Sequence, residues 1–152
     1  DLNGLTVKAF LGALKFNFEL MRMPGFTCKP VERHCMGMYV DGQWYHLKAW
    51  PDIYDKKDVV GQLDVSILQE KVLRPVLGIE DPRTDQRISF VGGSHKAAEL
   101  AEIADRTGGV AFVMYPTSME DLMKIADENK LMPPKSTWFE PKLRSGLFIH
   151  KL

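Results

Sequence analysis

A chain of 152 residues with 45% hydrophobic content can bury a core of its own and suits one domain of ordinary size. Its 20 basic and 20 acidic side chains cancel, which removes the simplest argument for bulk attraction to nucleic acid or to an anionic membrane. No apolar run approaches the roughly 18 residues that a bilayer span requires. Cys28 and Cys35, with no signal segment in evidence, point to reduced thiols and a cytoplasmic setting.

Thr6 is a plausible helix cap, and Val7, Phe10, Leu11, Leu14 and Phe18 follow it at helical spacing. Residues 21–34 show no clean period and are broken by Pro24-Gly25 and Pro30. A hairpin is expected next: Cys35–Val40, then Asp41-Gly42, then Gln43–Trp50, because Asp-Gly supplies the positive backbone angles of a tight two-residue turn. Residues 51–62 read as a surface loop. Asp64 caps a helix running through Leu73, and Pro75, which has no amide donor, stops it.

The segment 80–86 reads as turns in which Arg83 is fixed by Asp81 and Asp85, and Arg87–Val91 as a short strand. Gly92-Gly93-Ser94 leads into a helix with Ala97, Leu100, Ala101 and Ala104 on its buried side. Gly108-Gly109 ends it and opens the strand Val110–Tyr115. Thr117 and Glu120 have the spacing of a capping box, with Met119, Leu122, Met123 and Ala126 forming the inner stripe of the helix that follows. A long loop over 131–148 and a strand over Gly146–Lys151 close the chain. Most connections run about 4–6 residues, so a loop of that length is itself a functional signal.

This order predicts a single globular domain over 1–152 of mixed α+β and α/β character. Its elements are a small mixed sheet, an antiparallel hairpin, strand–helix–strand crossovers that favour parallel pairing, and helices packed on the sheet.

Metal binding is not expected, since no HxH, HExxH or CxxC spacing occurs among the four histidines and two cysteines. There is no GxSxG nucleophile elbow. Cys35 reads as a small buried hydrophobe, with His34 beside it keeping a reactive-thiol alternative open. Trp44, Trp50 and Trp138 read as core or interface residues. An anion site is the strongest chemical expectation. Ser94 and Thr117-Ser118 each open a helix after a strand, where free amides and the helix dipole favour negative charge. Parallel strands would bring both helix starts to one sheet edge. Lys135, Ser136, Thr137, Lys142 and Arg144 would reach that edge from the long loop. The plainer alternative is that these are ordinary caps and solvated bases. From Glu99 to Glu128 seven acids face two bases, whereas Lys135–Leu152 holds four bases and one acid, a difference that two solvated helix faces and a basic tail also explain.

Three stretches carry a resemblance: GMYVDGQWYHLK (37–48), LDVSILQEKVLRPVLGIEDPRTDQRISFVGG (63–93) and AFVMYPTSMEDLMKIADENKLMPPKSTWFEPKLRSGLFIHKL (111–152). Together the chain resembles the C-terminal portion of the domain-of-unknown-function 1015 family, with residues 1–36 matching less distinctively. The resemblance implies a longer parent protein, in keeping with a start at Asp1 rather than Met. It also implies an N-terminal half bearing an Asp-Gly-His-His-Arg run that resembles ParB/sulfiredoxin-like proteins, among which free-serine kinases are known. None of those residues occurs here, so no catalytic role from that motif passes to this chain.

Two functions are therefore expected. In the first, Lys135, Ser136, Thr137, Arg144 and Ser94 supply an anion-binding wall, for phosphate or carboxylate, to an active site completed by the other half. The reaction class would be phosphoryl transfer to a small metabolite such as an amino acid, with no cofactor held by this chain. In the second, the domain is a non-catalytic interaction module that docks the other half or a second copy through Trp138 and Phe139. Nucleic acid is the weakest of the partners considered, and a membrane is not expected.

Overall fold

The computed structural model describes residues 2–25, 27–92 and 96–136. Thr6 caps α1 (Val7–Leu14) as expected, its hydroxyl accepting from the Ala9 amide. Phe18 does not continue that helix. It opens β1 (Phe18–Arg22), which pairs antiparallel with β3. The aperiodic stretch thus begins with an edge strand that helical spacing had concealed.

The hairpin forms as read. β2 (Cys35–Val40) pairs with β3 (Gln43–Ala49) in a register set by Val40 opposite Gln43, and the turn residues Asp41 and Gly42 have φ of 50° and 73°. α2 (Asp64–Leu68) continues as a π-helical turn over Gln69–Leu73 and ends ahead of Pro75. Asp64 lies in its first turn, and the cap position belongs to Leu63.

No strand forms over Arg87–Val91. Arg87 instead binds Asp85 and donates to the Leu77 and Gly78 carbonyls, turning the backbone away from any ladder. The turn assigned to residues 80–86 is present, with Arg83 held on Asp81.

α3 (Ala97–Thr107) stops at Gly108, whose φ of 63° makes the left-handed cap. β4 (Val110–Met114) follows and pairs with β2, but antiparallel. The sheet order is β1-β3-β2-β4, antiparallel throughout among the described strands. The mixed α+β class holds, whereas the parallel pairing expected from the element order does not. With the strand over 87–91 missing, β4 has no parallel neighbour to cross over to, and it closes on the hairpin instead.

α4 (Met119–Asp127) differs twice from expectation. Its capping box is made by Ser118 and Asp121, not Thr117 and Glu120, and its inward positions are Asp121 and Ile125, leaving Met119 and Met123 exposed.

The sheet divides two apolar layers. On one face Phe10, Leu14, Phe18, Met36, Met38, Val40 and Leu47 meet Ile67, Val72 and Leu77. On the other, Ala97 and Ala104 bring α3 close to Tyr39, Trp44 and Cys28, and the Tyr39 hydroxyl donates to Asp105 at 2.8 Å. The strand expected over Gly146–Lys151 lies outside the described residues.

A charged cleft at the entrance to β2

The chain enters β2 through Glu32-Arg33-His34. His34 has φ of 63°, a left-handed conformation uncommon for a residue with a side chain. That twist turns its N–H onto the Asp64 carboxylate at 2.8 Å, while its carbonyl accepts from the Ala49 amide at 2.8 Å. The ring completes the clamp. A carbonyl can only accept, so Nε2, 3.1 Å from the Gln62 oxygen, donates. Nδ1 then accepts from the Tyr54 hydroxyl at 2.9 Å. Burial, with the Arg33 charge next in size, pushes the imidazole pKa below its ordinary value, which favours this neutral tautomer. His34 is thus a brace that holds residues 54 and 62–64 against the corner.

Arg33 points the other way. Its guanidinium, with a side chain 40% exposed, binds the Asp121 carboxylate at 3.1 Å. Asp121 is buried, and its second oxygen accepts from the Ser118 hydroxyl at 2.8 Å and more weakly from the Ser118 amide at 3.4 Å. The start of α4 is therefore already served by a carboxylate of its own.

Between the corner and α4, Arg33, Asp64, Thr117 and Asp121, with Leu63, Tyr115 and Pro116, line a cleft enclosing about 10 Å³, room for one water-sized group. Burial pushes the Asp64 carboxyl up to about 6. The His34 amide and Arg33 oppose the rise, and the Asp121 charge adds to it. A carboxyl that titrates near 6 beside a guanidinium in a cleft is able to accept a proton, donate a hydrogen bond or balance an incoming charge.

Of the residues expected at the anion site, Thr117, Ser118, Lys135 and Ser136 can be placed, and Thr117 lines this cleft. The Thr117 hydroxyl, expected to cap α4, donates instead to the Ser136 carbonyl at 3.3 Å, which ties residues 131–136 to the cleft wall. Ser136 spends its own hydroxyl on the Pro133 carbonyl. Lys135, at φ 58°, is exposed. Ser94, Thr137, Lys142, Arg144, Trp138 and Phe139 lie outside the described residues. Cys35 is fully buried, and burial together with the nearby Glu32 raises its thiol to about 11, well away from a reactive thiolate. Among the described residues no group of three or more His, Cys, Asp or Glu is placed to hold a metal ion.

Sequence reasoning missed Arg33, Asp64 and Asp121 as site residues. Asp64 and Asp121 each precede or open an apolar helical run, a position at which capping is the ordinary explanation.

Fold and cleft define a small α+β domain with a charged groove where the lead into the central hairpin meets a surface helix. Residues 1–66 match the model of a family described as "Protein of unknown function (DUF1015)". The matched segment contains the hairpin, the Arg33-His34 corner and Asp64, whereas most of the stretches that carried the resemblance run beyond it. No curated protein and no solved structure matches the chain. Among the described residues no helix is long and apolar enough to cross a membrane.

Proposed function

We propose that this domain supplies one polar wall of a ligand site, binding the anionic group of a small metabolite at the Arg33 cleft with Lys135 at its rim. The observation that carries this reading is the meeting of a partly exposed guanidinium, a carboxyl shifted to about 6 and the tethered 131–136 loop in one cleft. Room for only one water-sized group suits a wall rather than a complete pocket. The rest of the site would come from another segment of a longer protein, as the family resemblance implies. Phosphoryl transfer to a small metabolite is the matching reaction class, since it asks the protein mainly for positioning and charge neutralisation. Arg144, Thr137 and Ser94 are candidates to extend the wall.

The test is titration of the folded chain with sulfate and with inorganic phosphate, followed by amide chemical shifts. Millimolar binding centred on residues 33, 64 and 117 is expected, and Arg33→Ala should weaken it at least tenfold. Shifts that ignore that substitution, or no binding at millimolar anion, would reject the reading.

A second reading is favoured by a different observation. Met119 and Met123, one helical turn apart on α4, are 64% and 62% exposed, and Leu131 is 88% exposed. Such a face is typical of a docking module, with Trp138 and Phe139 as further anchors. Under it, Met119→Lys with Met123→Lys abolishes assembly with the parent protein or a second copy and leaves anion binding intact.

A further inference from the structure

One guanidinium in the cleft faces two carboxylates. With both ionised, Arg33, Asp64 and Asp121 sum to one negative charge, which repels an anion at the cleft they line. The two acids are not equivalent. Asp121 has both oxygens engaged, Oδ1 by Arg33 and Oδ2 by the Ser118 hydroxyl and amide, and it completes the cap of α4. Among the described residues Asp64 accepts one hydrogen bond, from the His34 amide to Oδ1, and that bond survives protonation of the other oxygen. Its backbone is fixed at the start of α2, and the His34–Tyr54–Gln62 brace keeps the corner against it.

We infer that an anion binds against this cleft only together with a proton on Asp64, so that ligand binding and proton uptake are one coupled event. This rests on the anion-binding reading above and adds its regulation. The groups facing Asp64 are Arg33 and His34 from the corner, Cys35 at the start of β2, Tyr54 from the loop, Tyr115 after β4 and Asp121 from α4. Of these, His34 is the other group able to titrate near neutrality. Its Nδ1 can gain a proton only if the Tyr54 hydroxyl turns from donor to acceptor, and burial lowers its pKa. Burial of Asp64 sets the window: the carboxyl is already half protonated at about pH 6, and a bound anion raises its proton affinity further. The site therefore loads in mildly acidic solution and releases as pH rises, with one proton leaving per anion.

Sulfate is the probe, because it does not itself titrate between about pH 5 and about pH 8. Calorimetric titrations of the wild-type chain should show affinity falling about tenfold per pH unit above pH ~6, with close to one proton taken up per sulfate when buffers of different ionisation enthalpy are compared. Asp64→Asn, neutral at every pH and able to keep the His34 bond, should bind sulfate at pH 8 as tightly as the wild type does at pH 5, with a flat profile. An Asp64→Asn profile that still falls with pH, or wild-type binding without proton uptake, would overturn the coupling and leave the anion site standing. Sulfate binding by neither protein at any pH would overturn the anion site, and the coupling with it. The proton-uptake measurement needs only the wild type, so the question is answered even if the variant misfolds.

Discussion

Asp64 illustrates a side chain whose placement costs stability. Its carboxyl is raised from 3.8 to about 6 by burial, so the folded chain binds a proton more tightly than the unfolded chain does. The sign follows from linkage: the charged form carries a penalty above pH ~6 that disappears as pH falls below the unfolded value near 4. The shift amounts to up to about 2–3 kcal/mol at neutral pH. Asp64→Asn should therefore raise the thermal midpoint at pH 8 by several degrees and leave it nearly unchanged at pH 4, as read by calorimetry at the two pH values. A gain of equal size at both would show that burial is not what shifts the group. From the sequence alone Asp64 could be read only as a cap, because a short polar residue before an apolar run carries the same signal whether it meets its own helix or a distant amide. What sets it apart is the His34 amide, thirty positions earlier in the chain.

At the scale of elements, the segments that were legible are those whose instructions are local. Asp41-Gly42 adopts the two positive φ angles that a tight turn demands, and the hairpin follows. Gly108 ends α3 for a similar reason. α4 shows the limit. Met119, Leu122, Met123 and Ala126 have proper helical periodicity, yet the helix buries Asp121 and Ile125, because Arg33 offers the carboxylate a partner on that side. Periodicity identifies a helix and leaves its inward face to be chosen by what it meets. Gly37 in β2 carries a similar tertiary requirement. A Cβ there would stand 2.0 Å from the Cys28 carbonyl oxygen, a backbone atom that cannot rotate aside. Gly37→Ala should destabilise the fold by about 3 kcal/mol, near the upper end of overpacking effects. Urea denaturation would show it, and a loss below about 1 kcal/mol would mean that the 27–29 segment lifts off the sheet easily.

Across the whole molecule, stability should grade from the centre of the sheet outward. β2 is paired on both sides, by β3 and β4, and β3 by β1 and β2, with Met36, Met38 and Leu47 fully buried between them. α4 is anchored through Ile125 and the Arg33–Asp121 pair and exposes much of its remaining surface. Native-state hydrogen exchange should find the β2 and β3 amides opening only with global unfolding, and those of α4 opening at least tenfold more often. Equal protection in α4 would indicate that its exposed methionines are covered in solution, as the docking reading requires.

The amino-acid sequence by itself determined the α+β class, the central hairpin, the ends of most helices and the family resemblance, since propensity, turn chemistry and short motifs act over a few neighbouring residues. Only the tertiary structure decided that the sheet is antiparallel among its described strands, that Arg87–Val91 forms no strand, and that Arg33, Asp64 and Asp121 share a cleft. Those three residues come from distant parts of the chain. Their meeting depends on β4 closing against β2 and on a left-handed turn at His34, both of which are set by packing and hydrogen bonding across the sheet rather than by any local pattern.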